Sequence, residues 1–275
     1  DLQREKTLNP APLVSVAIAC AGASRAAVRS TLEALGKQTY ANFEVCVVSE
    51  LAQAGLTDYE GIPKFRLVLF NGTAHEQLKA AEKMLNGAYF LQLLPGDLPA
   101  PDALHMLVLQ THSNPEAEVV FADEDSVIDG IRQNPIFKPD YGRDTLRSFN
   151  SIGRPMLVSK RVHTAVGGFR GSTPAELWAY CIECASAAKQ VIHIARIGLT
   201  VIRDCDGSEI PCTDILKREF NSLYPGDGSV KKNRTNGYCF EGSVLGTLRM
   251  RYPRKREPSV GIVIAGADGV ENLQR

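Results

Sequence analysis

The residues of this chain placed to do chemistry are acids that follow apolar runs. Leu93-Leu94-Pro95-Gly96-Asp97 ends the run from Ala88 to Leu94, so a buried strand would enter a sharp turn that presents the Asp97 carboxylate. Mg²⁺ and Mn²⁺ take oxygen ligands, often one or two protein carboxylates together with substrate phosphates. This turn offers one carboxylate, with Pro95 and Gly96 where a second would sit. Asp97 therefore ligates a metal, or it caps a Pro-Gly turn. A second acidic set, Asp123-Glu124-Asp125, follows the run from Glu118 to Ala122. At a strand end facing a cleft these three acids would bind an acceptor or support a metal. The alternative is a local network with Arg132, Lys138 or Arg154 that fixes the long connection after them.

The elements that must position these acids alternate. Leu13 to Ala19 reads as a parallel strand covered on both faces. Ser24 caps an expected helix from Arg25 to Lys37, with Val28, Leu32 and Leu35 at helical spacing. Strands are expected at Phe43 to Val48, Phe65 to Phe70, Ala88 to Leu94 and Glu118 to Ala122. Helices are expected from His75 to Leu85, from Pro101 to about Thr111, and from Glu176 to Lys189. The alternation predicts an α/β fold, a mostly parallel, doubly wound, Rossmann-like sheet with helices on both faces and ligands beyond the strands' carboxyl ends. Asp97 and Asp123 both fall at such ends, on one edge.

After Asp125 the texture changes. Gly130, Pro135, Pro139, Gly142 and Gly153 punctuate a stretch of little periodicity. A strand over Met156 to Val158, a helix over Arg161 to Val166 and the turn Gly167-Gly168-Phe169 follow. Beyond Ser208 the chain is polar to about Arg234, and Lys231, Lys232 and Arg234 read as a solvated basic face.

The 275 residues carry 31 Lys plus Arg against 31 Asp plus Glu, a balance that gives no case for nucleic acid or a membrane surface. No apolar run approaches the roughly 18 residues of a membrane span, and Asp1 to Lys6 does not resemble a signal peptide. The expectation is a cytoplasmic protein that meets the inner membrane, if at all, through other parts of a longer chain. Seven cysteines, an odd number spread through apolar segments, suit reduced and buried thiols. Cys181 and Cys184 with Cys205 and Cys212 make a poor zinc set, because the second spacing is wrong for a knuckle and the first pair lies on an expected helix. The five histidines share no metal-ligand spacing.

Val260 to Ala265 echoes Val14 to Ala19, with Pro258 placed much as Pro12 is. The repeat predicts residues 258–275 as the start of a second similar domain. It follows a domain over 12–205 and a linking extension over 206–257, with 1–11 as an N-terminal linker.

Several segments together carry a resemblance. Pro12 to Ile18, Gln38 to Val48 and Ala100 to Leu104 resemble the opening of family 2 glycosyltransferases. The longest match joins Phe121 to Asp125, Asp129-Gly130, Pro135 to Tyr141 and Val166 to Arg170. That series is similar to the branch that builds bacterial surface polysaccharides, often with tandem transferase domains. The resemblance implies a GT-A fold with a nucleotide-sugar half over 12–125 and an acceptor half over 126–205. It implies inverting transfer from a nucleotide-sugar donor to a cell-surface glycan acceptor, with Mn²⁺ or Mg²⁺ on the diphosphate, a carboxylate as general base, and an adjacent transferase domain as partner.

Mapped residue by residue, the resemblance leaves an incomplete site. Of the donor-binding acids after the second strand only Glu50 remains, in Val48-Ser49-Glu50-Leu51-Ala52. The Asp-X-Asp loop matches Pro95-Gly96-Asp97, so Asp97 is both a donor-side and a metal candidate. Lys79 stands near the implied donor, where its charge would touch phosphate, or it lies on a solvated helix face. Asp123, Glu124, Asp125 and Trp178 fall on the implied acceptor side, where Trp178 would stack on a sugar ring unless its place on the helix makes it a core residue. The base position is Pro174, which leaves Glu176 as the substitute catalytic acid, unless Glu176 is only a first-turn acid favoured by the helix dipole. The family's metal-supporting His matches Val201. Two functions follow from the resemblance: an active glycosyltransferase, or a catalytically degenerate GT-A-like module that binds glycan or braces an adjacent catalytic domain.

Overall fold

The computed structural model describes residues 11–50, 62–202, 238–241 and 247–251. The first half is built as its pattern predicts. β1 (Val14–Ala19) is followed by α1 (Arg25–Leu35), β2 (Phe43–Ser49), β3 (Phe65–Leu69), α2 (Ala74–Glu82) and β4 (Tyr89–Leu93). β1 lies between β2 and β4 and is parallel to both, and β2 pairs in parallel with β3. Every residue of β1 and β2 is buried, because helices cover both faces of the sheet.

Alternation along the strands divides the core into two layers. Val14, Val16, Ile18, Val45 and Val47 pack with Val28, Leu32 and Leu35 of α1 on one face. Ala17, Ala19, Cys46 and Val48 pack with Leu78 and Ala81 of α2 on the other. Ser24 caps α1 by accepting from the Ala27 N–H, as its position before the apolar series predicts.

The second half closes the sheet. β5 (Asp97–Pro99) leads into α3 (Ala103–Ser113), β6 (Ala117–Ile128), β7 (Ile131–Ile136), α4 (Arg143–Ser148), β8 (Met156–Ser159), α5 (Lys160–Ala165), α6 (Pro174–Ala187) and β9 (Gln190–Ile202). The sheet order is β3-β2-β1-β4-β8-β6-β9-β5, with β7 hydrogen-bonded to β6. β8 runs antiparallel to its neighbours β4 and β6, while the long β6 and β9 lie parallel. α3 joins the face of α1, and α6 joins the face of α2. A short antiparallel hairpin, β10 (Tyr238–Glu241) with β11 (Leu248–Arg251), stands as a separate sheet.

Two expectations about the elements are corrected. Asp123, Glu124 and Asp125 do not sit beyond a strand end, since β6 continues through them to Ile128. The stretch expected to lack regular structure holds β7 and α4, and Asp129-Gly130 makes the hairpin turn between β6 and β7. Both turn residues have positive φ, 54° and 76°, as a tight two-residue hairpin requires. Residues 1–10, the basic cluster Lys231, Lys232 and Arg234, Cys205, Cys212 and the repeat over 258–275 lie outside the described residues.

Candidate functional site

The Pro95-Gly96-Asp97 turn stands where the pattern puts it, between β4 and β5. Gly96 has φ of 95°, open to glycine at little cost, and its N–H donates to Thr31 Oγ1 at 2.9 Å. Asp97 begins β5 and lies opposite Val201 of the antiparallel β9. The position where the resemblance implies a metal-supporting His is thus the direct register partner of the surviving carboxylate. It carries a valine.

The Asp97 carboxylate is turned inward. The side chain is 1% exposed. The Leu94 N–H donates to Oδ2 at 2.8 Å, which caps the turn. Arg154 Nη2 donates to Oδ1 at 3.1 Å, and Arg154 Nε stands 3.0 Å from Oδ2 as an ion-pair contact without hydrogen-bond alignment. Burial pushes the Asp97 carboxyl above its ordinary value, against the opposite pull of the Arg154 guanidinium and the Leu94 N–H.

The acids of β6 each have a cationic or imidazole partner. Glu124 Oε2 receives Lys138 Nζ at 3.0 Å and the Arg154 N–H at 3.3 Å. Lys138 Nζ also donates to the Ala122 carbonyl at 2.8 Å and the Arg154 carbonyl at 2.6 Å, so its three protons have three acceptors. Burial lowers the Lys138 pKa, against the attraction of Glu124. Asp123 Oδ1 meets His193 Nε2 at 2.8 Å and receives the Lys138 N–H at 2.9 Å. Asp125 Oδ2 receives Arg132 Nε across the hairpin at 2.8 Å. Of the two readings of this acidic run, the local network is the arrangement the side chains adopt.

The remaining candidates do not converge on Asp97. Trp178 is 1% exposed and donates Nε1–H to the Leu146 carbonyl at 2.6 Å, so its expected place on the acceptor side is corrected to the core between α6 and α4. A ring without an open face cannot stack on a sugar. Lys79 donates to Glu82 Oε2 at 3.0 Å and to the Gly167 carbonyl, and so ties α2 to the Gly167-Gly168 turn. Gly168 has φ of 85°, and Glu82 and Lys79 stand where a Cβ would go. The Gly167-Gly168-Phe169 motif is therefore a packing motif here, with Phe169 fully buried.

Glu176 closes a capping box at the start of α6. Its Oε2 receives the Thr173 N–H at 3.1 Å and the Thr173 hydroxyl at 2.9 Å, while its own N–H donates to Thr173 Oγ1 at 3.3 Å. Pro174 sits at the first helical position, where the missing N–H costs nothing. Of the two readings of Glu176, the first-turn cap is the arrangement its side chain adopts. Glu50 alone keeps an exposed carboxylate, at the carboxyl end of β2.

Of the partners in this network, Arg132, Lys138 and Arg154 are the cations the local-network reading names, whereas His193 was not singled out and Arg154 pairs its side chain with Asp97 rather than with the acids of β6. Arg154 and Lys138 stand in the Gly- and Pro-rich stretch without periodicity. His193 lies in β9, stacked on Phe121 with ring centroids 4.9 Å apart. Their signal was the excess of acids near β6, each needing a counter-charge once buried.

No family model matches the chain. An uncharacterised protein of Sinorhizobium fredii, y4gI, is 30% identical over 205 residues, which are 70% of this chain and 22% of that protein. The O-antigen biosynthesis protein RfbC of Myxococcus xanthus is 25% identical over 199 residues, 69% of this chain and 16% of that protein. The chain thus spans about a fifth of the length of these curated relatives. Among solved structures, S. aureus TarS residues 1–349 matches with a TM-score of 0.56 at 14% identity, over 69% of this chain and 60% of that one. The same TarS segment in complex with UDP-GlcNAc matches with a TM-score of 0.55 at 14% identity, over 69% of this chain and 58% of that one. The fold is that of GT-A-like glycosyltransferases.

The divalent metal that the resemblance implies does not fit the residues around Asp97. Its two oxygens already hold the arginine and the turn amide, Val201 offers no ligand, and Glu124 is engaged by Lys138. Among the described residues no group of three His, Cys, Asp or Glu is arranged to hold a metal ion. Two like unit charges about 4 Å apart repel by about 4 kcal/mol at an effective dielectric near 20, and a divalent ion doubles that against the guanidinium. Cys181 and Cys184 are buried free thiols, and burial pushes the Cys181 thiol up to about 12, away from the thiolate that zinc requires.

Proposed function

We propose that this chain is a glycosyltransferase-type GT-A module of a longer polysaccharide-synthesising protein. It engages a nucleotide sugar or glycan and braces a neighbouring transferase domain, and it does not itself carry out the transfer. The observation that carries this reading is the start of α6, where Pro174 holds the implied base position and the nearest acid, Glu176, is closed into the helix cap. A general base must reach the acceptor hydroxyl with a free lone pair, and here the candidate carboxylate is bonded to its own cap residue. The resemblance to family 2 transferases, to the tandem branch in particular, supports the placement, as does the relative named for O-antigen biosynthesis. The match to a solved segment in complex with UDP-GlcNAc supports a nucleotide sugar as ligand class. The small share of each curated relative that the chain spans supports a module working beside other domains.

A second reading, an inverting transferase acting on a cell-surface glycan, draws on Glu50, whose exposed carboxylate remains at the end of β2. Calorimetry with UDP- and dTDP-sugars, paired with an assay for released nucleoside diphosphate, separates the two. Binding without release is expected. Release that disappears in Glu176→Gln would overturn the non-catalytic reading, and release that disappears in Glu50→Gln would establish the second.

Among the described residues no helix is long and apolar enough to cross a membrane. Attachment at the inner membrane through other parts of the longer protein belongs to the same proposal.

A further inference from the structure

The loop after β4 holds a carboxylate with a cation already on it. We infer that Arg154 takes the place of the divalent ion at this corner: its guanidinium is the built-in counter-ion of Asp97, so the module takes no metal there and meets a nucleoside diphosphate without one. This inference rests on the reading of the chain as a nucleotide-sugar module.

Four observations bear it. Arg154 reaches both Asp97 oxygens, at 3.1 and 3.0 Å, and the Leu94 N–H holds Oδ2 at 2.8 Å, so the carboxylate presents its lone pairs to protein donors. An Mg²⁺ ion would need that oxygen at about 2 Å, inside the space the guanidinium fills. Second, the arginine is fixed at its backbone. Its N–H donates to Glu124 Oε2 at 3.3 Å, its carbonyl receives Lys138 Nζ at 2.6 Å, and the Pro155 carbonyl receives the Ala122 N–H at 3.3 Å. Third, the neighbouring position across the sheet is Val201, which supplies no ligand and no charge. Fourth, the corner is neutral in sum: Asp97 is matched by Arg154 and Glu124 by Lys138. A metal site needs an excess of negative charge, and this corner has none.

The chemical consequence is a fixed monovalent cation where an exchangeable divalent one is expected. The Arg154 side chain is 17% exposed, with Nε and Nη2 turned to Asp97. Guanidinium donors suit phosphate oxygens well, in a fork that can donate to two at once.

The test uses the 275-residue chain. Mn²⁺ is titrated into it, and the electron paramagnetic resonance signal of the free ion is followed. The signal is expected to match that of Asp97→Asn at every concentration. Loss of signal in the wild type that Asp97→Asn abolishes would overturn the inference, whereas loss that survives in Asp97→Asn arises elsewhere and leaves it standing. In parallel, UDP, GDP and dTDP are titrated calorimetrically in EDTA and in Mn²⁺. For whichever nucleotide binds, equal affinity in both buffers is expected, and tenfold or greater tightening by Mn²⁺ that needs Asp97 would overturn it. Arg154→Met, checked for folding by circular dichroism, is expected to weaken that binding about tenfold, with Arg154→Lys between the two. If none of the nucleotides binds in either buffer, the nucleotide-sugar reading fails, while the Mn²⁺ titration still decides whether Asp97 takes a metal.

Discussion

Glu44 and Asp97 are both buried carboxylates paired with an arginine, one in each half of the sheet, and they are held differently. Glu44 lies in β2, where Ser15 Oγ at 2.6 Å, the Asn86 N–H at 2.6 Å and Arg66 Nη1 at 2.7 Å all donate to it. Those donors outweigh its burial, and its pKa lies below the ordinary value. Asp97 is equally buried but has fewer donors, and its pKa lies above. The arginines differ too, since the Arg66 side chain is 37% exposed and that of Arg154 only 17%. Glu44 is a structural charge with redundant partners. Asp97 depends on one arginine.

Removing each arginine is the strongest way to break the comparison. Arg154→Met strands a buried carboxylate, and such losses cost about 3–5 kcal/mol. Arg66→Met leaves Ser15 and the Asn86 N–H on Glu44 and removes a half-exposed pair, with an expected cost of about 1 kcal/mol or less. Urea unfolding of both variants measures the gap. Equal costs would show that Asp97 is no more dependent on its arginine than Glu44 is.

The pH dependence sharpens the same contrast, because the two shifts have opposite signs. Glu44 is lowered from 4.5 in the folded state, so the stability it contributes is present above that value and is lost as pH falls through its folded pKa. Asp97 is raised from 3.8, so the folded state takes up its proton first. Stability from this group therefore rises as pH falls through the folded pKa, and the gain is complete at the unfolded value. Relative to wild type, Asp97→Asn is expected to remove an acid-side gain and Glu44→Gln an acid-side loss. Unfolding free energies measured through the acid range test both, and differences of the same sign would show that one shift is misassigned.

Much of the fold was legible because the first half obeys simple periodicities. β1, β2 and β4 are mostly apolar runs, each with a buried polar residue, and Ser24 announces α1. The Asp97 turn was legible from Pro95 and Gly96. The candidate site was less so, for a physical reason. Three consecutive acids read as a strand end, yet Asp123, Glu124 and Asp125 continue β6 because partners from β7, β9 and the following connection neutralise them. Arg132 and Lys138 are near their acids in sequence, 7 and 14 residues away, but other pairs are distant: Asp97 and Arg154 are 57 residues apart, and Asp123 and His193 are 70 apart. Local pattern carries no trace of such pairs. Only the need of a buried acid for a counter-charge does, and that need names Arg132 and Lys138 for the acidic run but neither the pairing of Asp97 with Arg154 nor that of Asp123 with His193.

The smallest effect tests the site most directly, through a second comparison between like regions. Thr73-Ala74-His75-Glu76 at α2 and Thr173-Pro174-Ala175-Glu176 at α6 form the same capping box. In both, the Thr hydroxyl meets Glu Oε2 at 2.9 Å, and the Glu N–H donates to Thr Oγ1 at 3.3 Å. No catalytic role attaches to Glu76, so it calibrates what a cap alone contributes. Glu76→Gln and Glu176→Gln each keep a side-chain acceptor and lose a charge beside the helix dipole, worth about 0.3–1 kcal/mol. Near-equal losses in urea unfolding, with unchanged nucleotide binding and unchanged product release, are what a cap at α6 requires. A loss of release in Glu176→Gln that is out of proportion to its stability, and absent in Glu76→Gln, would make the acid at α6 more than a cap, since a shared geometry cannot produce an unshared effect.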